Sequence, residues 1–168
     1  MKRSFQSLSP QEALHVAVFI EERNSELYHK FAEMFISYRN PASLEIAGVL
    51  WDMAGEEKKH STMLQDRYSK LYGQAACALT PDDINDIIEL PELDCEEIFD
   101  FDVRVATARH RALKIALSAE NQAREFYAGL AVAATDPELR ALYAELSSFE
   151  AEHVSFLERE LANSTTHG

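Results

Sequence analysis

Two short stretches carry residues able to hold a metal ion. Near residue 57 the chain reads G-E-E-K-K-H, and near residue 150 it reads F-E-A-E-H. Each contains a glutamate with a histidine three positions on: Glu57 with His60, and Glu150 with His153. On a helix these positions are neighbours on one face, so a carboxylate and an imidazole can grip the same ion. The spacing alone does not discriminate. Glu12…His15 and Glu26…His29 have it too, so four of the six histidines follow a glutamate by three.

An internal repeat separates the pairs. AVFIEERNSELY (17–28) matches ALSAENQAREFY (116–127), with Ala, Glu, Glu and Tyr at the same offsets. Glu21 then pairs with Glu120, and Tyr28 with Tyr127. LWDMAGEEKKHSTML (50–64) matches YAELSSFEAEHVSFL (143–157), which pairs Glu57 with Glu150 and His60 with His153. The chain reads as two helical hairpins of one kind. The other Glu–His pairs are not repeated: Glu12 and His15 correspond to Arg111 and Lys114, and His29 to Ala128.

Helical phase gives an independent test. At about 100° per residue, Leu14, Ala17, Val18 and Tyr28 fall within about 60° of Glu21, whereas Glu26 is about 140° and Glu12 about 180° away. Glu12/His15 and Glu26/His29 therefore read as solvated surface pairs. Glu120 sits among Leu113, Ala116, Leu117, Ala123, Tyr127 and Ala131; Glu57 among Leu50, Met53, Ala54 and Leu64; Glu150 among Tyr143, Leu146, Val154 and Leu157. Four glutamates, one per long helix, thus lie on apolar stripes, and two histidines join them. Burying an unpaired carboxylate costs several kcal/mol even after relaxation, and four together would repel and stay largely protonated. Bound cations remove the conflict. Carboxylate and imidazole donors suit iron or manganese. Tyr28 and Tyr127 are candidates for hydrogen-bond donors behind the ligands, for redox relays or for plain core packing. Trp51 reads as packing.

The elements that must position these residues are four long helices, expected over about 9–38, 41–72, 103–134 and 136–162. Ser9-Pro10 and Asp136-Pro137 are cap-and-proline starts, and Gly73 ends the second helix. Between helices two and three lies an acidic stretch, 73–102, with a short helix expected from Thr80-Pro81 through Ile88. A helix of about thirty residues is roughly 45 Å long, and thirty residues of connector can run back along it. Ile84, Ile87, Ile88, Leu90, Leu93, Ile98 and Phe101 give this connector enough apolar surface to pack on the bundle.

The 168 residues suit one domain. Hydrophobic content of 46% supports a core, and 5 glycines with 5 prolines favour long helices over a many-turned β fold. A net charge of −13 argues against nucleic acid and anionic membrane surfaces and suits a protein that attracts cations. No apolar run is long enough to span a bilayer, and a cytoplasmic location is the default. Cys77 and Cys95, with no C-x-x-C, give neither a four-cysteine iron site nor a disulfide framework.

With these residues in place, the chain resembles the ferritin-like di-iron carboxylate superfamily. It is most similar to rubrerythrin-type proteins, which carry E…ExxH…E…ExxH across four helices. The likeness covers nearly the whole chain. It implies an all-α fold: a single ferritin-like domain over 1–168, built as a four-helix up-down-down-up bundle with one long crossover between helices two and three. It implies two iron ions, with manganese or zinc as substitutes, bridged by Glu57 and Glu150. Glu21 and Glu120 would be terminal ligands, and His60 and His153 would each cap one ion. The implied activity is an oxidoreductase that reduces O2 or H2O2 with oxidation of Fe(II), supplied by an external rubredoxin-like donor or reductase. A homodimer is the expected assembly.

The chain also departs from its relatives. It has no rubredoxin module. Leu117 and Ala123 stand where rubrerythrins place an extra glutamate, and Lys58 stands where bacterioferritins place a haem-ligating methionine, so no haem is expected. Animal-type ferritins lack the second ExxH. The competing readings are a non-catalytic, iron-sequestering protein and a di-iron oxygenase acting on an organic substrate.

Overall fold

Four of the five helices among the described residues begin with proline, whose fixed φ suits the first helical position and whose missing N–H costs nothing there. In the computed structural model, which describes residues 7–88 and 104–165, these are α1 (Pro10–Ser37), α2 (Pro41–Tyr72), α3 (Pro81–Ile87) and α5 (Pro137–Thr165); the fifth is α4 (Val105–Ala133). No strand occurs among the described residues. Side-chain caps meet the freed N–H groups at each proline start. Ser9 Oγ accepts from the Glu12 N–H, and the Glu12 carboxylate accepts from the Ser9 N–H at 2.8 Å. Asn40 and Thr80 cap α2 and α3 in the same reciprocal way. Asp136 Oδ1 accepts from Glu138 and Leu139 N–H at 2.8 and 3.0 Å. Helix α4 starts without a side-chain cap at Arg104. Helix α2 stops at Gly73, whose φ of 60° favours glycine.

Helix α1 runs antiparallel to α2: Gln11 Nε2 donates to Tyr68 Oη at 2.9 Å, and Ser25 Oγ donates to the Ala54 carbonyl at 2.9 Å. Helix α4 runs antiparallel to α5, where Ser147 Oγ donates to the Arg124 carbonyl at 3.2 Å and Arg109 pairs with Glu160. The two hairpins meet through α1 against α4 and α2 against α5, for example at Tyr127 Oη to the Ala17 carbonyl and at Arg67 with Glu138. Most contact is within each hairpin, and less lies between them. The short connector helix α3 buries Ile84 in the core, with Ile88 beside it. Leu90, Leu93, Cys95, Ile98 and Phe101 lie outside the described residues.

The apolar core is divided in two. One cluster holds Leu14, Ile20, Leu64, Tyr127, Tyr143 and Leu146. The other holds Tyr28, Phe31, Phe35, Leu50, Leu113 and Leu157. Each fully buried large side chain contributes about 1.5–3 kcal/mol. Trp51, expected as a packing residue, lies against His29 with ring centroids 4.5 Å apart and is 48% exposed. Its position on α2 faces the outer flank of α1 rather than the second hairpin.

Gly48 and Gly55 lie inside α2, and a Cβ built on either meets nothing within 4 Å. Gly48→Ala and Gly55→Ala should each stabilise the protein by about 0.5–1 kcal/mol through helix propensity. Urea denaturation would show this as a higher midpoint with an unchanged slope.

Candidate metal centre

Between the two apolar clusters lies a layer of four glutamates, one from each long helix. Glu21, Glu57, Glu120 and Glu150 are all fully buried. Each occupies a core-facing position of its helix, so packing the apolar stripes carries all four inward together. His60 and His153 sit one turn after Glu57 and Glu150 and turn their Nδ1 atoms into the layer.

The distances fall into two halves. His60 Nδ1 is 3.2 Å from Glu21 Oε2, 3.8 Å from Glu57 Oε2 and 4.0 Å from Glu150 Oε1. His153 Nδ1 is 3.0 Å from Glu57 Oε1, 3.4 Å from Glu120 Oε2 and 3.6 Å from Glu150 Oε2. One group is thus Glu21, Glu57, His60 and Glu150; the other is Glu57, Glu120, Glu150 and His153. Within each, one donor atom per residue lies within 4.8 Å of all the others. Glu57 and Glu150 belong to both groups and show a different oxygen to each. All six residues singled out from the sequence are therefore brought together.

The outer glutamates are held from behind by tyrosines. Tyr28 Oη donates to Glu120 Oε1, and Tyr127 Oη donates to Glu21 Oε1. Each tyrosine lies about 10 Å along its own helix from that helix's glutamate, and the antiparallel neighbour brings it beside the other one. The bond fixes Oε1 of each carboxylate and leaves Oε2 facing the histidine. Removing either hydroxyl leaves a buried carboxylate oxygen without its donor. Tyr28→Phe and Tyr127→Phe should each destabilise the metal-free protein by about 1–3 kcal/mol in equilibrium denaturation.

Glu57 and Glu150 have no such support. None of their four oxygens receives an aligned hydrogen bond among the described residues, although His153 Nδ1 comes close to Glu57. Burial pushes the Glu57 carboxyl well above the usual carboxylate range, and the charges of Glu120 and Glu21 push it further. Glu150 is raised in the same way by burial and by Glu120 and Glu57. Glu120 goes the other way: burial raises it, but its interactions with Glu150, His153 and Tyr28 outweigh burial and lower it. His60 and His153 are disfavoured as cations by burial, yet the surrounding carboxylates more than offset this and raise both. Burial and the same carboxylates keep Tyr28 and Tyr127 protonated, as hydrogen-bond donors.

These features fit a metal ion. The orphaned oxygens of Glu57 and Glu150 are buried acceptors that a cation would satisfy, and a set of carboxylates and imidazoles is the donor chemistry of first-row divalent metals. The buried Glu and His groups can hold a metal ion.

Sequence reasoning missed three neighbours. His153 Nε2 lies 2.8 Å from Glu56 Oε2. The His60 ring stacks on Phe149, with centroids 5.0 Å apart and planes 13° apart. These two residues immediately precede Glu57 and Glu150, and their place before each E-x-x-H was the available signal. Asn24, one turn after Glu21, is buried, and neither of its amide atoms has a hydrogen-bond partner among the described residues. The unrepeated Glu–His pairs stay outside the cluster and do not pair with each other. Glu12 caps α1, Glu26 pairs with Lys30 at 3.4 Å, and His29 pairs with Glu33 at 3.4 Å.

Both histidines reach the surface at a cleft of about 410 Å³ between α2 and α5, lined also by Glu56, Lys59, Glu145 and Glu152. No helix among the described residues is long and apolar enough to cross a membrane.

No family model matches the chain, and no curated protein does. Among solved structures it is similar to an uncharacterized conserved protein from Magnetospirillum magnetotacticum MS-1, with 25% identity and a TM-score of 0.72 over 93% of this chain and 95% of that one. It is also similar to a hypothetical protein from Pyrococcus furiosus, with 23% identity and a TM-score of 0.75 over 95% of this chain and 92% of that one. The chain therefore shares its fold, over nearly its whole length, with proteins from these two organisms.

Proposed function

We propose that this is a non-haem di-iron carboxylate protein of rubrerythrin-like type that reduces H2O2 or O2. The observation that carries the reading is the pair Glu57 and Glu150: buried, without aligned hydrogen bonds, and each turning one oxygen to either half of the cluster. Two divalent ions bring four positive charges, matching four ionised glutamates with neutral histidines. The antiparallel contacts of α1 with α2 and α4, and of α5 with α2 and α4, support an up-down-down-up ferritin-like bundle in which the stretch between α2 and α4 is the crossover.

When bound, the Fe(II) pair supplies two electrons to the oxidant. The protein's part is positioning and charge. Glu57 and Glu150 span the two halves. Glu21 and Glu120, fixed by Tyr127 and Tyr28, complete one half each together with His60, stacked on Phe149, and His153, bonded to Glu56. Tyr28 and Tyr127 stay protonated at neutral pH and keep their hydroxyl hydrogens on Glu120 and Glu21. The histidine-side cleft gives O2 or H2O2 a way in, and its three carboxylates favour the approach of cations. Four charged side chains, Glu56, Lys59, Glu145 and Glu152, stand in that cleft beside Met63 and Phe149, so it is not a dedicated apolar pocket for an organic substrate. Turnover needs electrons from outside, and a rubredoxin-like protein or a reductase is the class of donor the resemblance implies.

Anaerobic loading with Fe(II), followed by iron analysis and addition of H2O2, tests the reading. The expected result is two irons per chain and one H2O2 consumed per pair oxidised. Retention of many more irons per chain would establish sequestration instead. Failure to retain any iron would overturn the metal centre altogether.

A further inference from the structure

We propose that the two halves of the centre bind metal with unequal affinity, the His153–Glu120 half filling first, and that Glu56 is the positioning residue that sets this order. The inference rests on the metal-binding reading above and concerns how the site fills.

The two halves match closely on their inner side. In each, a histidine Nδ1 faces three carboxylates, and a tyrosine hydroxyl fixes the outer glutamate. On the outer side the repeat breaks. Aligning Glu57 with Glu150 places Glu56 opposite Phe149. Across the α2–α5 contact, Glu56 meets the His153 ring and Phe149 meets the His60 ring. The symmetry-related positions thus offer a carboxylate to one histidine and a hydrocarbon face to the other.

That difference acts on the ligand atoms. With Glu56 Oε2 at 2.8 Å, Nε2 of His153 keeps its hydrogen and donates it, so the proton that a cation displaces leaves from Nδ1 and the lone pair of the neutral ring points into the cluster. The carboxylate fixes both tautomer and ring orientation and makes Nδ1 a stronger donor to a cation. His60 Nε2 has no hydrogen bond among the described residues. Phe149 restrains the His60 ring by stacking but cannot choose which nitrogen carries the hydrogen. If the hydrogen sits on Nδ1, it points at Glu21 and must move before His60 can bind a metal. Outer partners of this kind change metal affinity by roughly 10–100-fold. The Glu56 side chain is 54% exposed, so solvent screens its charge and the lower end of that range, about tenfold, is expected.

Titration of the metal-free protein with Co(II), followed by calorimetry and by the visible absorption of the bound ion, tests this. Wild type should bind two ions in two steps with affinities about tenfold or more apart. His153→Ala should remove the tight step and His60→Ala the weak one. Glu56→Ala should weaken the tight step about tenfold, so that the steps merge, while Glu56→Gln should keep part of the separation because its amide oxygen still accepts from Nε2. Phe149→Glu should tighten the weak step; a merely structural role for Glu56 would not predict this gain. Glu56 lies on the surface, and an unchanged helical circular-dichroism signal would exclude misfolding as the cause. Two equal affinities in wild type, or loss of the weak step in His153→Ala, would overturn the inference while leaving the metal centre standing. No Co(II) binding at all would overturn both.

Discussion

Glu57→Gln should abolish tight metal binding in both halves and at the same time stabilise the metal-free protein. The two effects have one origin. Glu57 contributes an oxygen to each half, so its loss cannot be confined to one ion. An affinity loss of more than about 100-fold is expected, beyond what partners outside the ligand set produce. In the absence of metal, the same carboxylate is buried beside Glu21 and Glu120 with no aligned hydrogen bond. Glutamine keeps its shape and is neutral at every pH, so it removes the cost of burying the charge or of protonating the carboxyl to avoid it, and replacing a poorly compensated buried ionisable group is commonly worth about 1–4 kcal/mol. Metal-loaded wild type gains about 4 kcal/mol when the free ion is a thousandfold above Kd, and the variant should lose that gain. Melting curves with chelator and with Mn(II) would show the order of stabilities reverse. A variant less stable than wild type in chelator would mean that Glu57 is already satisfied by protein neighbours.

The second large effect is on pH dependence. Glu57 and Glu150 have folded-state pKa values raised above their unfolded values. Their contribution to stability is complete below about pH 4.3 and is lost as pH rises through the raised values. His60 and His153 are also raised, so theirs is complete below about pH 6.5 and lost in the same direction. Glu120 has the opposite sign, its contribution being lost only as pH falls through its lowered value. Above about pH 4.3 the two raised glutamates, and above about pH 6.5 the two raised histidines as well, outweigh Glu120, and the melting temperature of the metal-free protein should fall as pH rises. Each group contributes a slope of at most about 1.4 kcal/mol per pH unit. Metal displaces these protons, so the stabilisation it gives should grow over the same interval. Calorimetric scans with chelator and with Mn(II) would check both trends, and a rising melting temperature in chelator would contradict them.

Much of this is legible in the sequence alone. Pro10 and Pro137, each behind a capping side chain, marked helix starts. The 3.6-residue phase placed Glu21, Glu57, Glu120 and Glu150 on apolar stripes, and all four are buried. The repeat set Glu12, His15 and His29 aside, helical phase turned Glu12 and Glu26 outward, and the structure gives these two glutamates other work in a cap and a surface ion pair. What was not legible depends on how one helix is rotated against another. The contacts of Glu56 and Phe149 arise across the α2–α5 seam, which no local spacing encodes. Tyr28 and Tyr127 were recognisable as donors, but their partners follow only from the antiparallel placement of α1 and α4. Trp51 was read as a packing residue; it packs on His29, but its angular position on α2 leaves nearly half of it in water.

The six polar residues are divided three and three: Glu21, Glu57 and His60 on the first hairpin, Glu120, Glu150 and His153 on the second. Neither hairpin holds a complete set, and the hairpins touch each other less than the helices within each do. A bound ion would therefore act as a cross-link between residues about a hundred apart in sequence, closing a long loop in the way a disulfide does, but reversibly and without cysteine. Chelation would then loosen the seam between the halves before it melts either half, so that hydrogen exchange quickens first along the facing sides of α1 and α4.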